Sequence, residues 1–485
     1  MIYNRCLSIA KTGIIVGAVL HSAGIEVAKT QASRTTISRL ARSLVRSSAI
    51  VALVAAGFVS FTGCGNNYRP VVAAINPVGP SAQPQKYAVA ISSPSPTSPG
   101  LVTIVDFSGD SVLITANIGV SPQYLILNAT ATAATSTAPA TTATTGYTIN
   151  GDGTLNVFDI SPSLISSQVL ETTLLSGAVP LSIFPQGTNT YVTEQGRNAI
   201  AEFQGSPLAL RQEINVTNPI YVVGLSGAPR IYALGQGTGT APGQAIAIDT
   251  TTNTPTAALP VGNKPVYGVM TADGKRAFIM NQGDGTVSVI NVQTNQLDTL
   301  PAPNPGTSSS TIPVGVSPLW ADFAPARSEM VVANAGNGTG NGTLSVVSIP
   351  LCNAAALVTN PNCSPTNPVD ATGFGTVLAS VPVGVNPIMV SALQDGTRAY
   401  VANAGNANTS GSVSVVNLTT NTVVTTIPIA GHPAYIAATT GIPTGKVYVV
   451  CKDSKDMTVI RTDTDTIDTT VSLQGAGVSV RVTAP

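Results

Sequence analysis

One pattern recurs eight times between residues 86 and 485, and it restricts the fold more than any other feature of the chain. Each copy centres on an aromatic residue inside a short apolar run: Tyr87, Tyr147, Tyr191, Tyr232, Phe278, Tyr400 and Tyr448, with Val331 in its place in the sixth copy. A second run follows with period two, as in Thr286-Val287-Ser288-Val289-Ile290 or Ser412-Val413-Ser414-Val415-Val416. A Thr/Asn-rich turn such as Thr419-Thr420-Asn421-Thr422 leads to a third run, Val424-Thr425-Thr426-Ile427-Pro428. A fourth run opens on a proline: Pro122, Pro180, Pro219, Pro265, Pro318, Pro387 and Pro433. Most successive copies are 41 to 53 residues apart.

Four short strands at a period near 45 residues are the sequence mark of a propeller blade. A β-helix repeats over about half that length, and a membrane barrel needs longer strands with aromatic girdles. Proline is tolerated at the first position of a strand, where no ladder hydrogen bond is lost. The expectation is an all-β propeller of four-stranded blades over residues 86–485. Eight copies point to eight blades; the long, divergent first copy leaves seven open. The chain enters on an aromatic strand and ends on Gly477–Val482, a run of the fourth type without its proline. Pairing of that last strand with the first blade would close the ring and leave no open edge.

The residues Arg398-Ala399-Tyr400-Val401-Ala402-Asn403, Val413-Ser414-Val415-Val416-Asn417 and Thr426-Ile427-Pro428 resemble the YVTN-type repeat. So does Arg276 through Val292. That repeat belongs to propellers of prokaryotic surface proteins and to relatives of the 6-phosphogluconolactonases. The resemblance spans residues 86–485, is closest in copies five to seven, and implies a fold more than a function.

Composition agrees. Charged residues make up 9% of the chain, Gly numbers 45 and Pro 35, which excludes coiled coils, helical bundles and charge-driven disorder. The formal net charge of zero conceals a basic leader: residues 1–63 hold seven basic residues and one acid, Glu26. The remainder is net acidic, which weighs against nucleic-acid binding. Arg39, Arg42 and Arg46 precede an apolar stretch from Ala49 to Phe61, the order of a secretory signal. The following Phe61-Thr62-Gly63-Cys64 resembles the lipobox of bacterial lipoproteins. By that resemblance Cys64 carries the lipid, and Gly65 after it favours the outer membrane or cell surface. The expected layout is a leader at 1–63, translation starting near residues 37–40, a Pro/Ser-rich tether at 64–85, and the propeller. The expected partners are the membrane, through the anchor, and an envelope protein or glycan; a monomer is expected.

Export makes a disulfide plausible between Cys352 and Cys363, which share a Pro/Asn-rich insertion. Cys451 lies in an apolar run and reads as a small buried hydrophobe. No Cys/His spacing suits zinc, and no cofactor motif is present. Asp463, Asp465 and Asp468 read as a solvated turn rather than a calcium site. A second insertion, residues 129–145, is almost pure Ala/Thr and reads as a flexible loop.

Loops converge around the channel of a propeller, so the default binding face is built from two slots. One is the residue before each proline: Ser121, Val179, Asn218, Lys264, Ser317, Asn386 and His432. The other closes the aromatic strand: Asn281, Asn334 and Asn403, with Glu194 in the third copy. Asn and Ser at such positions also serve as turn caps. The function expected is that of an envelope binding or scaffolding module. The alternative is a lactonase-type hydrolase working around His432, Glu194 and Lys264.

Overall fold

The polypeptide winds through eight four-stranded antiparallel sheets arranged as the blades of a ring. This computed structural model describes residues 86–132, 141–239, 241–298, 300–301, 308–350, 373–439 and 445–483. Cys64, the leader, the tether and the Cys352/Cys363 pair lie outside the described residues.

Blade 1 is formed by Tyr87–Ser93, Pro99–Asp106 and Val112–Val120, with the C-terminal strand Ala476–Val482 as its innermost member. Ile91 faces Ser479 and Ala88 faces Val482 across that closing pair. The two ends of the chain thus seal the ring by main-chain hydrogen bonds, as the phase of the repeats predicts. Blades 2, 3, 4, 6, 7 and 8 each run from an innermost proline-led strand to an outermost strand in sequence order. Blade 5 departs from the pattern. Its outer edge is shared by Gln296–Leu297 and Thr311–Pro313, between which Leu300–Pro301 pairs with Ser308–Ser309.

Burial follows radius. Second strands have both faces covered by neighbouring blades, so Asn189–Glu194, Arg276–Asn281 and Glu329–Asn334 are buried at every position. Outermost strands meet water: Thr466–Ser472 buries one residue in seven, and its threonines suit an exposed pleated edge. A register shift recurs between third and fourth strands in blades 1, 3, 4, 6, 7 and 8. Such bulges twist the edge away from pairing with other chains.

In blades 3, 4 and 7 the repeat aromatic fastens the blade to the next, whereas Phe278 of blade 5 has no hydroxyl and that of Tyr448 has no partner. Tyr191 donates to Asn253 Oδ1 (2.5 Å), Tyr232 to Asn295 Oδ1 (3.2 Å) and Tyr400 to Asp465 Oδ1 (2.7 Å). Each acceptor sits in the outer turn of the following blade with φ of 53–55°. Asn and Asp tolerate that left-handed backbone better than other side chains. The residue two before the tyrosine adds charge: Arg398 reaches Asp465 (3.4 Å), and Lys446 of blade 8 reaches Asp110 of blade 1 (2.6 Å). Between blades 6 and 7 the aromatic is missing. Asn421 keeps φ of 54° there, but its buried Oδ1 has no partner, and Val331 has no hydroxyl to supply one. The turns themselves are closed by Asp249, Asn291 and Asn417, whose side-chain oxygens accept backbone amides two and three residues on.

The Ala/Thr segment differs from the expected loop. Residues Ala129–Thr132 pair with Thr141–Thr144 and lengthen the inner hairpin of blade 2 beyond the other blades. Threonine is β-branched, and extending a ladder already in register costs little. The hairpin leaves from the end opposite Pro122, the face expected for it.

Candidate functional site

The residue before each proline occupies one repeated backbone geometry. Ser121, Val179, Asn218, Lys264, Ser317 and Asn386 all have φ between 48° and 58°. In each of these, and in His432, the carbonyl accepts the amide that follows the second strand of its own blade, at 2.8–3.1 Å. The slot therefore braces the start of the inner strand. Several side chains are engaged as well. Gln195 donates to Asn218 Oδ1 (2.8 Å), Gln282 to Ser317 Oγ (3.1 Å), and Asn386 Nδ2 to the Gly405 carbonyl (3.4 Å). Lys264 is exposed and Ser121 half-buried.

The second slot lies inside the wall. Asn281, Asn334 and Asn403 are at most 1% exposed. Their amide nitrogens bond the hydroxyls of the adjacent strand: Asn281 to Thr286 and Ser288, Asn334 to Thr343 and Ser345, Asn403 to Ser412 and Ser414, all at 2.9–3.1 Å. Glycine is required opposite them; a Cβ on Gly315 would stand 2.7 Å from the Asn334 amide carbon. In blade 3 Glu194 takes this place, buried against Arg197 (3.4 Å) and beside Glu213. Burial, and then Glu213, push its carboxyl up to about 7.

His432 has an acid partner. Its Nδ1 lies 2.5 Å from Asp453 Oδ2 and its Nε2 3.1 Å from the Asn406 carbonyl. Two acceptors suit an imidazolium, and the hydrogen bond to Asp453 raises its pKa. His432, Glu194 and Lys264 stand on blades 8, 3 and 5, and each is engaged by different neighbours. They are not brought together. No group of three His, Cys, Asp or Glu side chains that could hold a metal occurs among the described residues.

The structure instead gathers a set of side chains at the inner strands. Two residues after the proline stand Tyr124, Tyr221, Tyr267, Trp320 and Tyr435, with Ser182 and Met389 in blades 3 and 7. A register shift after the proline, present in all seven proline-led strands, turns this position. The rings form a continuous circuit. Tyr124 meets Tyr221 edge-on at 6.4 Å, Tyr221 meets Tyr267 at 4.9 Å, Tyr267 stacks on Trp320 at 3.7 Å, and Trp320 meets Tyr435 at 5.6 Å. Arg481, on the closing C-terminal strand, completes it: its guanidinium lies 4.6 Å from the Tyr435 ring, 5.4 Å from Tyr124 and 5.9 Å from Trp320. Its Nε donates to the Leu125 carbonyl (3.1 Å) and its Nη2 to the Tyr124 hydroxyl (3.0 Å), which in turn lies 3.1 Å from the Tyr221 hydroxyl.

Asp322 lies two residues beyond Trp320. It accepts the amides of Phe323 (2.8 Å) and, from blade 7, Ala392 (2.9 Å). Burial nonetheless pushes its carboxyl up to about 6 against those amides and the Arg481 charge. Tyr435 is 5% exposed and its hydroxyl has no hydrogen-bond partner. Trp320, Tyr221, Tyr124, Asp322 and Arg481 stay half-buried although protein surrounds them, as expected for groups lining a narrow channel. The signal was present in the sequence as an aromatic at a fixed distance after proline in five copies. The cation was not, because the copy that supplies Arg481 has no proline to mark its register.

No protein-family model matches the chain, and no curated protein matches it in sequence. Solved structures share its fold. Dihydro-heme d1 dehydrogenase NirN in complex with DHE superposes with a TM-score of 0.55 at 11% identity, covering 83% of this chain and 77% of that one. Apo AztD from Citrobacter koseri gives 0.52 at 10% identity, covering 82% and 97%. A candidate 6-phosphogluconolactonase from Bacteroides fragilis gives 0.45 at 13% identity, covering 83% and 99%. At these identities the likeness to the first two establishes the β-propeller and nothing about the ligand.

Proposed function

We propose that this chain is a binding module of the cell envelope that takes its ligand at the inner ring of the propeller. The observation that carries the reading is the ring itself: five aromatic side chains and one guanidinium in mutual contact, with partly exposed groups facing the channel. Aromatic surface with a few polar groups is the usual composition of a small-molecule site. The lipobox-like Cys64 and the signal before it support the envelope and the lipid anchor. The hydrolase reading has less support, because His432, Glu194 and Lys264 do not meet.

The purified full-length protein is screened by thermal shift against cell-wall glycan fragments, sugar lactones, calcium and short DNA. A ligand at about 100 times its dissociation constant adds about 2.7 kcal/mol of stability. A shift lost in Trp320→Ala and kept in His432→Ala supports the inner ring. Lactone turnover lost in His432→Ala replaces binding with catalysis. In cell fractions, Cys64→Ser is expected to release the chain from the membrane; unchanged membrane retention and the absence of a lipid mass on Cys64 would remove the anchor from the reading.

A further inference from the structure

We infer that the inner ring selects a small carboxylate carried on a flat ring, held by the guanidinium of Arg481 and the hydroxyl of Tyr435 with its ring face against the aromatic circuit. The inference rests on the reading of the inner ring as a ligand site and assigns the chemical class of that ligand.

Two donors define the preference. Arg481 spends Nε and one Nη2 hydrogen bond on Leu125 and Tyr124, while its Nη1 edge has no protein acceptor among the described residues. Tyr435 lies directly against that guanidinium, at 4.6 Å from ring to cation, and its buried hydroxyl is likewise unanswered. The Tyr435 hydroxyl is a buried donor left without an acceptor, which is unfavourable and seldom retained unless something answers it, and Arg481 beside it is half-buried with its Nη1 edge open. A group that accepts from both must offer two oxygens close together. A carboxylate does, and arginine meets carboxylates with paired N–H groups. The rings around the cation are flat and contiguous, and Tyr124, Tyr221 and Trp320 are partly exposed, so the carbon frame that fits them is itself flat.

Asp322 tunes the site. The Arg481 charge acts on it and its own charge acts on Tyr267 and Tyr435, while the amides of Phe323 and Ala392 cap its oxygens. When ionised it competes for the Arg481 charge and repels an incoming anion. Near neutral pH it is largely ionised, and below pH 6 largely protonated, so a carboxylate ligand binds more tightly on the acid side.

Trp320 is the chain's single tryptophan and belongs to the ring, so its emission reports occupancy without a label. The full-length protein is titrated with benzoate and with benzamide, its neutral counterpart of the same shape, at pH 5.5 and 7.5. Benzoate is expected to change Trp320 emission saturably, bind roughly tenfold or more tightly than benzamide, and weaken several-fold at the higher pH. Tyr435→Phe is expected to keep the wild-type melting temperature and bind benzoate roughly tenfold more weakly, with a smaller loss for benzamide, which offers a single acceptor oxygen. Asp322→Asn is expected to abolish the pH dependence. Equal affinity for benzoate and benzamide overturns the carboxylate while the ring remains a ligand site. Undiminished benzoate binding by Tyr435→Phe overturns the two-donor grip. No emission change with either compound overturns the ring as a site for flat ligands, and the reading beneath it.

Discussion

The same repeat places two sets of tyrosines, and their hydroxyls meet different ends. On the second strands Tyr191, Tyr232 and Tyr400 each donate to a left-handed Asn or Asp in the next blade. On the inner strands Tyr435 is also buried, yet its hydroxyl answers nothing in the protein. Tyr191, Tyr232 and Tyr400 are therefore part of the wall, while Tyr435 keeps capacity in hand; Tyr448, on the second strand of blade 8, also has an unpartnered hydroxyl, and Tyr124 and Tyr221 on the inner strands bond each other. The junction of blades 6 and 7 serves as an internal control, because Val331 leaves the Asn421 oxygen unanswered and the ring closes all the same. One latch is dispensable to the architecture; what each contributes is stability at one junction.

Breaking an intact latch gives the largest effect. Tyr400→Ala removes a fully buried ring and its bond to Asp465, and is expected to cost about 3–5 kcal/mol in denaturant unfolding. Val331→Ala at the corresponding site is expected to cost markedly less; equal costs would show that the hydroxyl and ring add nothing over a valine. Next in size is the acceptor. Asp465→Gly strands Tyr400 and Arg398 and is expected to cost about 1–3 kcal/mol, whereas Asn421→Gly relieves a left-handed side chain with no bond to lose and is expected to be neutral or stabilising by up to about 1 kcal/mol.

Glu194 tests the wall in blade 3. Its folded-state pKa is raised, so between about pH 4.5 and 7 the folded state holds a proton that the unfolded state has released, and stability falls as pH rises. Glu194→Gln is expected to be near neutral at pH 4 and to gain about 1–2 kcal/mol over wild type by pH 8. A gain independent of pH would exclude the carboxyl as its source. His432 gives a smaller effect of related origin. Its raised pKa makes its contribution complete below about pH 6.5 and lost as pH rises through the higher folded-state value. Because the pair with Asp453 is solvent-exposed, His432→Ala is expected to remove less than about 1 kcal/mol, and only on the acid side. Smallest of all, Tyr435→Phe is expected to shift stability by no more than about 0.5 kcal/mol, since no protein bond is lost. A loss near that of Asp465→Gly would place Tyr435 in the wall and erase the contrast.

Much of the fold was legible in the chain. The blades, their strand order and the closure by Ala476–Val482 follow from periodicity and phase, because each blade is a local unit with its own turn residues. The candidate face was legible only as positions. Serine, valine, asparagine and lysine all occupy the left-handed slot before proline, so residue type there does not reveal that the backbone is braced. Asn281, Asn334 and Asn403 look like surface caps in a sequence. They are buried because the threonine and serine hydroxyls of the next strand accept from their amide nitrogens inside the wall, although each Oδ1 there has no partner. The Ala/Thr segment misleads for a related reason: composition does not say whether a neighbouring strand is already in register to receive it.

The sequence by itself determined the blade, since hydrophobic alternation, turn residues and strand-opening prolines act over a few residues and do not depend on the rest of the chain. Only the tertiary structure decided what the centre of the ring contains. Side chains from blades up to several hundred residues apart, Tyr124 and Arg481 among them, meet there because ring closure brings together inner edges that no local interaction connects. Contact between such positions depends on blade number and on the twist accumulated around the ring, which no single repeat encodes.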